Sequence, residues 1–218
     1  MFTGFTQETS DFFWELQFHN ERPWFEAHKG MYRRAVAEPF AALANETFDR
    51  FTEAAPENEW TLHISRIYRD ARRLFGRGPY KDHLWFSIQE GRDWGGVPCF
   101  WFEIGAGDYG RGMGWWDASA AQMTAYRRRI DADPAGFERM LREVTADGRF
   151  SMYGETYKRP KKDVGAFLNP WYNCRRPGLG FEQPFGGEAL TAELPALLAE
   201  DFCRLLPYYE FLRGLAAL

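Results

Sequence analysis

The side chains in this sequence best suited to chemistry are its cations, and they are unevenly spread. Residues 66–81 hold Arg66, Arg69, Arg72, Arg73, Arg77 and Lys81 against a single acid, Asp70. Residues 158–176 hold Lys158, Arg159, Lys161, Lys162, Arg175 and Arg176 against Asp163. The two windows contain twelve of the 27 Lys and Arg but only two of the 31 Asp and Glu, in a chain of net charge −4. Clustered guanidinium and ammonium groups focus a positive potential and suit contact with phosphate or carboxylate. The pattern predicts a binding or catalytic site for an anionic small molecule where the windows converge. Its expected residues are Arg66, Tyr68, Arg69, Tyr80, Lys81, Arg127 and Lys158, with Asp70 as candidate base or as the carboxylate that orients an arginine.

The local pattern supports that assignment. In an extended strand Arg66, Tyr68 and Asp70 share one face, and Ile67 and Arg69 the other. Gly76-Arg77-Gly78-Pro79-Tyr80-Lys81 follows as a turn whose glycines permit close backbone approach to an anion.

Other chemistries lack support. His19, His28, His63 and His83 show no metal-ligand spacing, and Cys99, Cys174 and Cys203 form neither a zinc knuckle nor a disulfide framework, so no metal and no cofactor is expected. Gly105-Ala106-Gly107-Asp108-Tyr109-Gly110 fits G-x-G-x-x-G, but no helix follows to face a pyrophosphate, and a glycine-rich hairpin is the expectation. No nucleophile elbow or phosphate-binding loop occurs. Single-stranded nucleic acid is the weaker alternative partner: Tyr68, Tyr80, Trp171 and Tyr172 interleave with the cations, yet the pI of 5.7 argues against it. A non-catalytic interaction module, with exposed aromatics in 94–116 and 167–185, is the other alternative.

The elements that position these residues read as one α+β domain spanning 1–218, a mainly antiparallel sheet packed against N- and C-terminal helices. A first helix opens at Asp11 behind Thr9 and Ser10 as N-caps. Residues 24–51 form two helices, or one kinked at Pro39. Period-two segments predict strands at 60–68, 84–88 and 97–104, with a turn over 90–96 and a fourth strand at 113–116. Helices follow over 119–132 and 134–146, and 149–157 rejoins the sheet. Residues 158–187 read as an ordered loop layer, and 192–218 as helices broken at Pro207.

Arg66-Ile67-Tyr68-Arg69-Asp70 followed by Pro79-Tyr80-Lys81, with Asn20, Trp24-Phe25-Glu26-Ala27 and Pro39 before them, resembles a widespread family of conserved hypothetical proteins. That family is a domain of unknown function found in bacteria and fungi. Phe2-Thr3-Gly4-Phe5, Gly112-Met113-Gly114, Tyr126-Arg127 and Ile130 also match its positions. The chain departs from it at Arg72-Arg73-Leu74-Phe75-Gly76-Arg77, where the family carries an R-F-S-K-D-K-like stretch. The resemblance implies boundaries and a shared cluster, and assigns no reaction. The start of the chain lacks export features and the mean hydropathy is −0.52, so a cytoplasmic protein without a membrane span is expected, its oligomeric state left open.

Overall fold

A computed structural model describes residues 1–70, 72, 76–91 and 96–215. The chain opens with α1 (Gln7–Phe18) and α2 (Arg22–Met31), passes through a π-helical turn (Tyr32–Ala37), and continues as α3 (Glu38–Ala54). Strands β1 (Trp60–Ile64), β2 (His83–Glu90), β3 (Cys99–Gly105) and β4 (Asp108–Gly114) precede α4 (Ala120–Ala132) and α5 (Pro134–Val144). Then come β5 (Ser151–Met152), α6 (Asn169–Tyr172), β6 (Gly178–Pro184), a 3₁₀ turn (Gly187–Leu190) and α7 (Leu194–Arg213). The strands form one sheet in the order β1-β2-β3-β4-β6-β5, and every pairing is antiparallel. The fold is α+β, as the period changes require. Among the described residues no helix is long and apolar enough to cross a membrane.

Several local expectations are corrected. Helix α1 starts before Thr9 and Ser10, so neither is the N-cap, which is Thr6; Thr9 Oγ1 accepts from Thr6 N at 3.3 Å, and the Thr9 and Ser10 hydroxyls donate to Ala35 O at 2.7 Å and to Ala106 O. The first bond has a clear cause. Pro39, four residues after Ala35, has no N–H for that carbonyl, and the π turn before Pro39 takes the place of a sharp kink. Pro207 does not break α7, because Phe202, Leu205, Tyr208, Tyr209 and Leu212 are all buried along it and their packing outweighs a proline cost of about 3 kcal/mol. The 158–187 stretch is not all loop: it contains α6 and β6. The strand expected over 60–68 stops at Ile64, the one over 149–157 shrinks to two residues, and the fourth strand begins at Asp108. Gly105 to Gly110 is the hairpin between β3 and β4. The turn expected over 90–96, Arg73, Trp94 and the end of the chain fall partly or wholly outside the described residues.

One face of the sheet packs on helices. Phe86, Ile88, Phe100, Phe102, Ile104, Met113 and Leu179 are buried there, with Phe51 and Phe202 lying 4.9 and 5.3 Å from the Phe100 ring. Arg111 points into the same core and is 0 % exposed. Its Nε donates to Asp201 at 2.6 Å and its Nη1 to Glu188 at 2.8 Å, while Arg149 holds the other Asp201 oxygen at 2.8 Å. This network ties β4 to α7. The opposite face carries Trp101, Glu103, Gly110, Gly112, Gly180 and Glu182, placed in register by the pairs Trp101↔Gly112↔Gly180 and Glu103↔Gly110↔Glu182.

Arg111→Ala leaves the buried Asp201 carboxylate without its shortest partner, and such a loss costs about 3–5 kcal/mol. Urea unfolding is expected to show a drop of that size, and a melting temperature lower by roughly 2–4 °C per kcal/mol.

Candidate functional site

The expected site divides into two. Arg66, Tyr68, Arg69, Asp70, Tyr80 and Lys81 lie together on one hairpin beyond the β1–β2 ladder. Ile64 opposes Phe86, but Tyr68 opposes Tyr80, so five residues, 81–85, face only three, 65–67. This bulge re-aims the side chains around it. Arg66, Tyr68 and Asp70 are exposed and Ile67 is buried, the alternation an extended segment requires.

Most polar groups of this hairpin are engaged internally. Arg69, 12 % exposed, donates from Nε to Tyr80 O at 2.7 Å and from Nη2 to Asp82 at 3.3 Å, so its carboxylate partner is Asp82 and not Asp70. Asp82 also holds His83 Nδ1 at 3.0 Å. Burial raises the Asp82 carboxyl, but its own backbone N–H, His83 and Arg69 outweigh that and lower it. Asp70 faces Arg72 through contacts of 2.8 and 3.1 Å. Lys81 Nζ donates to Arg66 O at 2.7 Å, and burial followed by the charges of Arg69 and Arg66 lowers its pKa. Tyr80 is buried and stacks on Phe25 at 4.1 Å. Asn20 closes the hairpin with a reciprocal pair, Nδ2 to Tyr80 O at 2.9 Å and Tyr80 N to Oδ1 at 3.0 Å.

Lys158 belongs to the second basic window, at the opposite end of the sheet beside β6, and Arg127 of α4 reaches the same end of the sheet. There 153–157 runs antiparallel to 173–178: Tyr153 N donates to Gly178 O, Arg175 N to Glu155 O and Tyr157 N to Asn173 O, at 2.9, 2.8 and 2.9 Å. Three cations surround the Tyr157 ring, with Lys161 Nζ 4.7 Å and the Arg127 and Arg175 guanidinium carbons each 5.6 Å from its centre. Arg127 is fixed by bonds to Tyr172 O, Met123 O and Cys174 O at 3.1, 3.0 and 3.2 Å. The loop bearing Lys158, itself exposed, is held by buried Asn173, whose Oδ1 accepts from Lys161 N at 2.6 Å. Glu155 meets Arg175 at 3.6 Å.

Arg175 also lines a cavity of about 300 Å³, with Arg176, Trp101, Trp115, Trp116 and Tyr153 among its walls. Trp101, Trp116 and Tyr153 pack mutually, with ring centres 5.1–6.1 Å apart. Bare backbone makes this possible: a Cβ on Gly112 would lie 3.0 Å from Trp101 and 2.1 Å from Leu179 O, and one on Gly180 would lie 2.7 Å from Tyr153. The Trp101 and Trp115 indole nitrogens, both buried, have no acceptor among the described residues. Burial first, then Glu182 and Glu103, pushes the Tyr153 phenol up to about 12, so it stays protonated and hydrogen-bonded to Glu182. Burial likewise pushes the Cys99 and Cys174 thiols up to about 12, which leaves neither an activated nucleophile at neutral pH. Among the described residues no group of three His, Cys, Asp or Glu side chains is placed to hold a metal ion.

With this geometry in view, comparison with known proteins adds one result. The profile of the conserved hypothetical protein family DUF2461 matches residues 8–211. The chain belongs to that family. No curated protein matches it. In this DUF2461 member Asn20, Arg69, Tyr80 and Lys81 hold the hairpin together.

Tyr80, Trp171 and Tyr172, three of the four aromatics that suggested base stacking, are buried, while Tyr68 is exposed. In the two aromatic regions that suggested an interaction module, Trp101, Trp115, Trp171 and Tyr172 are buried and Trp116 is 37 % exposed. Sequence reasoning missed Trp101, Trp116, Tyr153 and Tyr157. A signal existed in the period-two glycines at 110, 112 and 114 and at 178 and 180, which strip one sheet face of side chains and leave room for rings.

Asn20→Ala removes both sides of the clamp on Tyr80, whose backbone sits in a buried setting where each unsatisfied group costs about 1–3 kcal/mol. Amide exchange is expected to accelerate across 66–82 and to stay unchanged in β3 and β4.

Proposed function

We propose that the protein binds an anionic small molecule, phosphate- or carboxylate-bearing, at the second basic window. The observation that carries this reading is the gathering of Lys161, Arg127 and Arg175 around the Tyr157 ring. Like charges so close repel one another, and Glu155, 80 % exposed, offsets only part of that repulsion. An anion bridging them relieves the rest and gains charge-assisted hydrogen bonds. Arg127 is immobilised by three carbonyls and the Lys161 backbone by Asn173, so little ordering opposes binding. Arg69 and Lys81 in the hairpin group hold protein oxygens, as Arg127 does here; the second group adds Lys161 and Arg175, whose charged ends face the same ring.

A ligand that binds only the folded form stabilises it by about 2.7 kcal/mol at one hundred times its dissociation constant. Inorganic phosphate is expected to raise the melting temperature in a saturable way, and Lys161→Ala/Arg175→Ala to abolish that rise. Sulfate at high concentration stabilises proteins generally by exclusion from their surfaces and serves as the baseline. A double variant that responds to phosphate as the parent does would overturn the assignment.

A further inference from the structure

We infer that the anion is one end of a nucleotide-class ligand, a flat heteroaromatic ring joined through a hydroxylated sugar to phosphate, laid along residues 153–157. This rests on the anion reading of the same window and goes further, because it is carried by the order of chemistries along one strand edge. Tyr153, Glu155 and Arg175 line one cavity, and Arg175 also lies 5.6 Å from the Tyr157 ring, which gives the sequence aromatic wall, carboxylate, cation-ringed phenol. The aromatic wall and the cations around Tyr157 are neighbouring stations that share Arg175, which a ligand with a ring at one end and a phosphate at the other can occupy together and a bare phosphate cannot.

Each station favours a different group. At the Tyr157 end, Lys161 and Arg175 supply charge for phosphate. In the middle, the Glu155 carboxylate is an acceptor with no donor of its own, suited to sugar hydroxyls. At the Tyr153 end, the cavity of about 300 Å³ sits at the small limit of ligand pockets, which run from about 300 to 1,000 Å³, and so takes one ring system and not the whole ligand. The three wall rings are too close for a cation to enter between them, with centres at most 6.1 Å apart, so they do not form an aromatic cage. What they offer is the open surface of Trp116 and Tyr153, on which a planar base stacks.

The test is a ligand series on the intact protein: inorganic phosphate, ribose 5-phosphate, adenosine and AMP, read by melting temperature and by tryptophan fluorescence. AMP is expected to bind at least fivefold more tightly than ribose 5-phosphate and to quench fluorescence, with adenosine and phosphate weaker than AMP. Tyr153→Ala and Trp116→Ala are each expected to cost AMP between about fivefold and a hundredfold in affinity, the range for loss of one stacking platform, and to leave phosphate binding unchanged. Equal affinity for AMP and ribose 5-phosphate, without quenching, would overturn the nucleotide assignment and leave the anion reading standing. Absence of binding by every member, phosphate included, would overturn both. The series on the parent decides the matter even if neither aromatic variant folds.

Discussion

The rest of the structure depends on one buried cation. Arg111 lies at the middle of β4 on the core side of the sheet, and its two shortest contacts run to Asp201 on α7 and to Glu188 in the turn before it. A guanidinium removed from water is tolerable only when paired and hydrogen-bonded, so this position dictates where α7 and the 3₁₀ turn must sit. Asp201 in turn draws Arg149 to it, which fixes the chain entering β5. One charge thus sets the relation between the sheet, the last helix and the strand that borders the candidate site. The Arg111 side chain also spans the Phe181 ring at 5.0 Å, linking β4 to β6 within the same network.

The residues on either side of Arg111 explain the opposite face. Gly110 and Gly112 send nothing outward, so β4 and β6 present a lane of backbone on which the Trp101 and Tyr153 rings lie. The same alternation therefore produces a charged anchor inside and an aromatic platform outside. On that face, where the glycines carry no Cβ, the two strands gain little from their own side chains. They hold because the ladder, the covering rings and the Arg111 network act together.

The hairpin that holds Arg69, Tyr80 and Lys81 and the cations around Tyr157 lie at different places. Arg69, Tyr80, Lys81 and Asn20 form hydrogen bonds within the 60–90 hairpin, and that hairpin stabilises the β1–β2 edge. The cations around Tyr157 stand at the other end of the sheet, where three of them share one ring.

Sequence alone determined the α+β class, the antiparallel strands with period-two burial, the two helices on either side of Asp133, and the segregation of cations into two windows. These are local properties, legible because the period of burial and the capping side chains act within a few residues. Only the tertiary structure decided that the two windows stand apart, that Arg69 faces Asp82, that Pro207 lies within an unbroken helix, and that Gly178–Pro184 is a strand. Each of those outcomes rests on a partner distant in sequence: Asp82 across a bulge, the core packed along α7, and β4 glycines opposite β6 glycines. Residue types restrict what a segment can do, but the energy that selects among those options comes from contacts that exist only after the chain has folded.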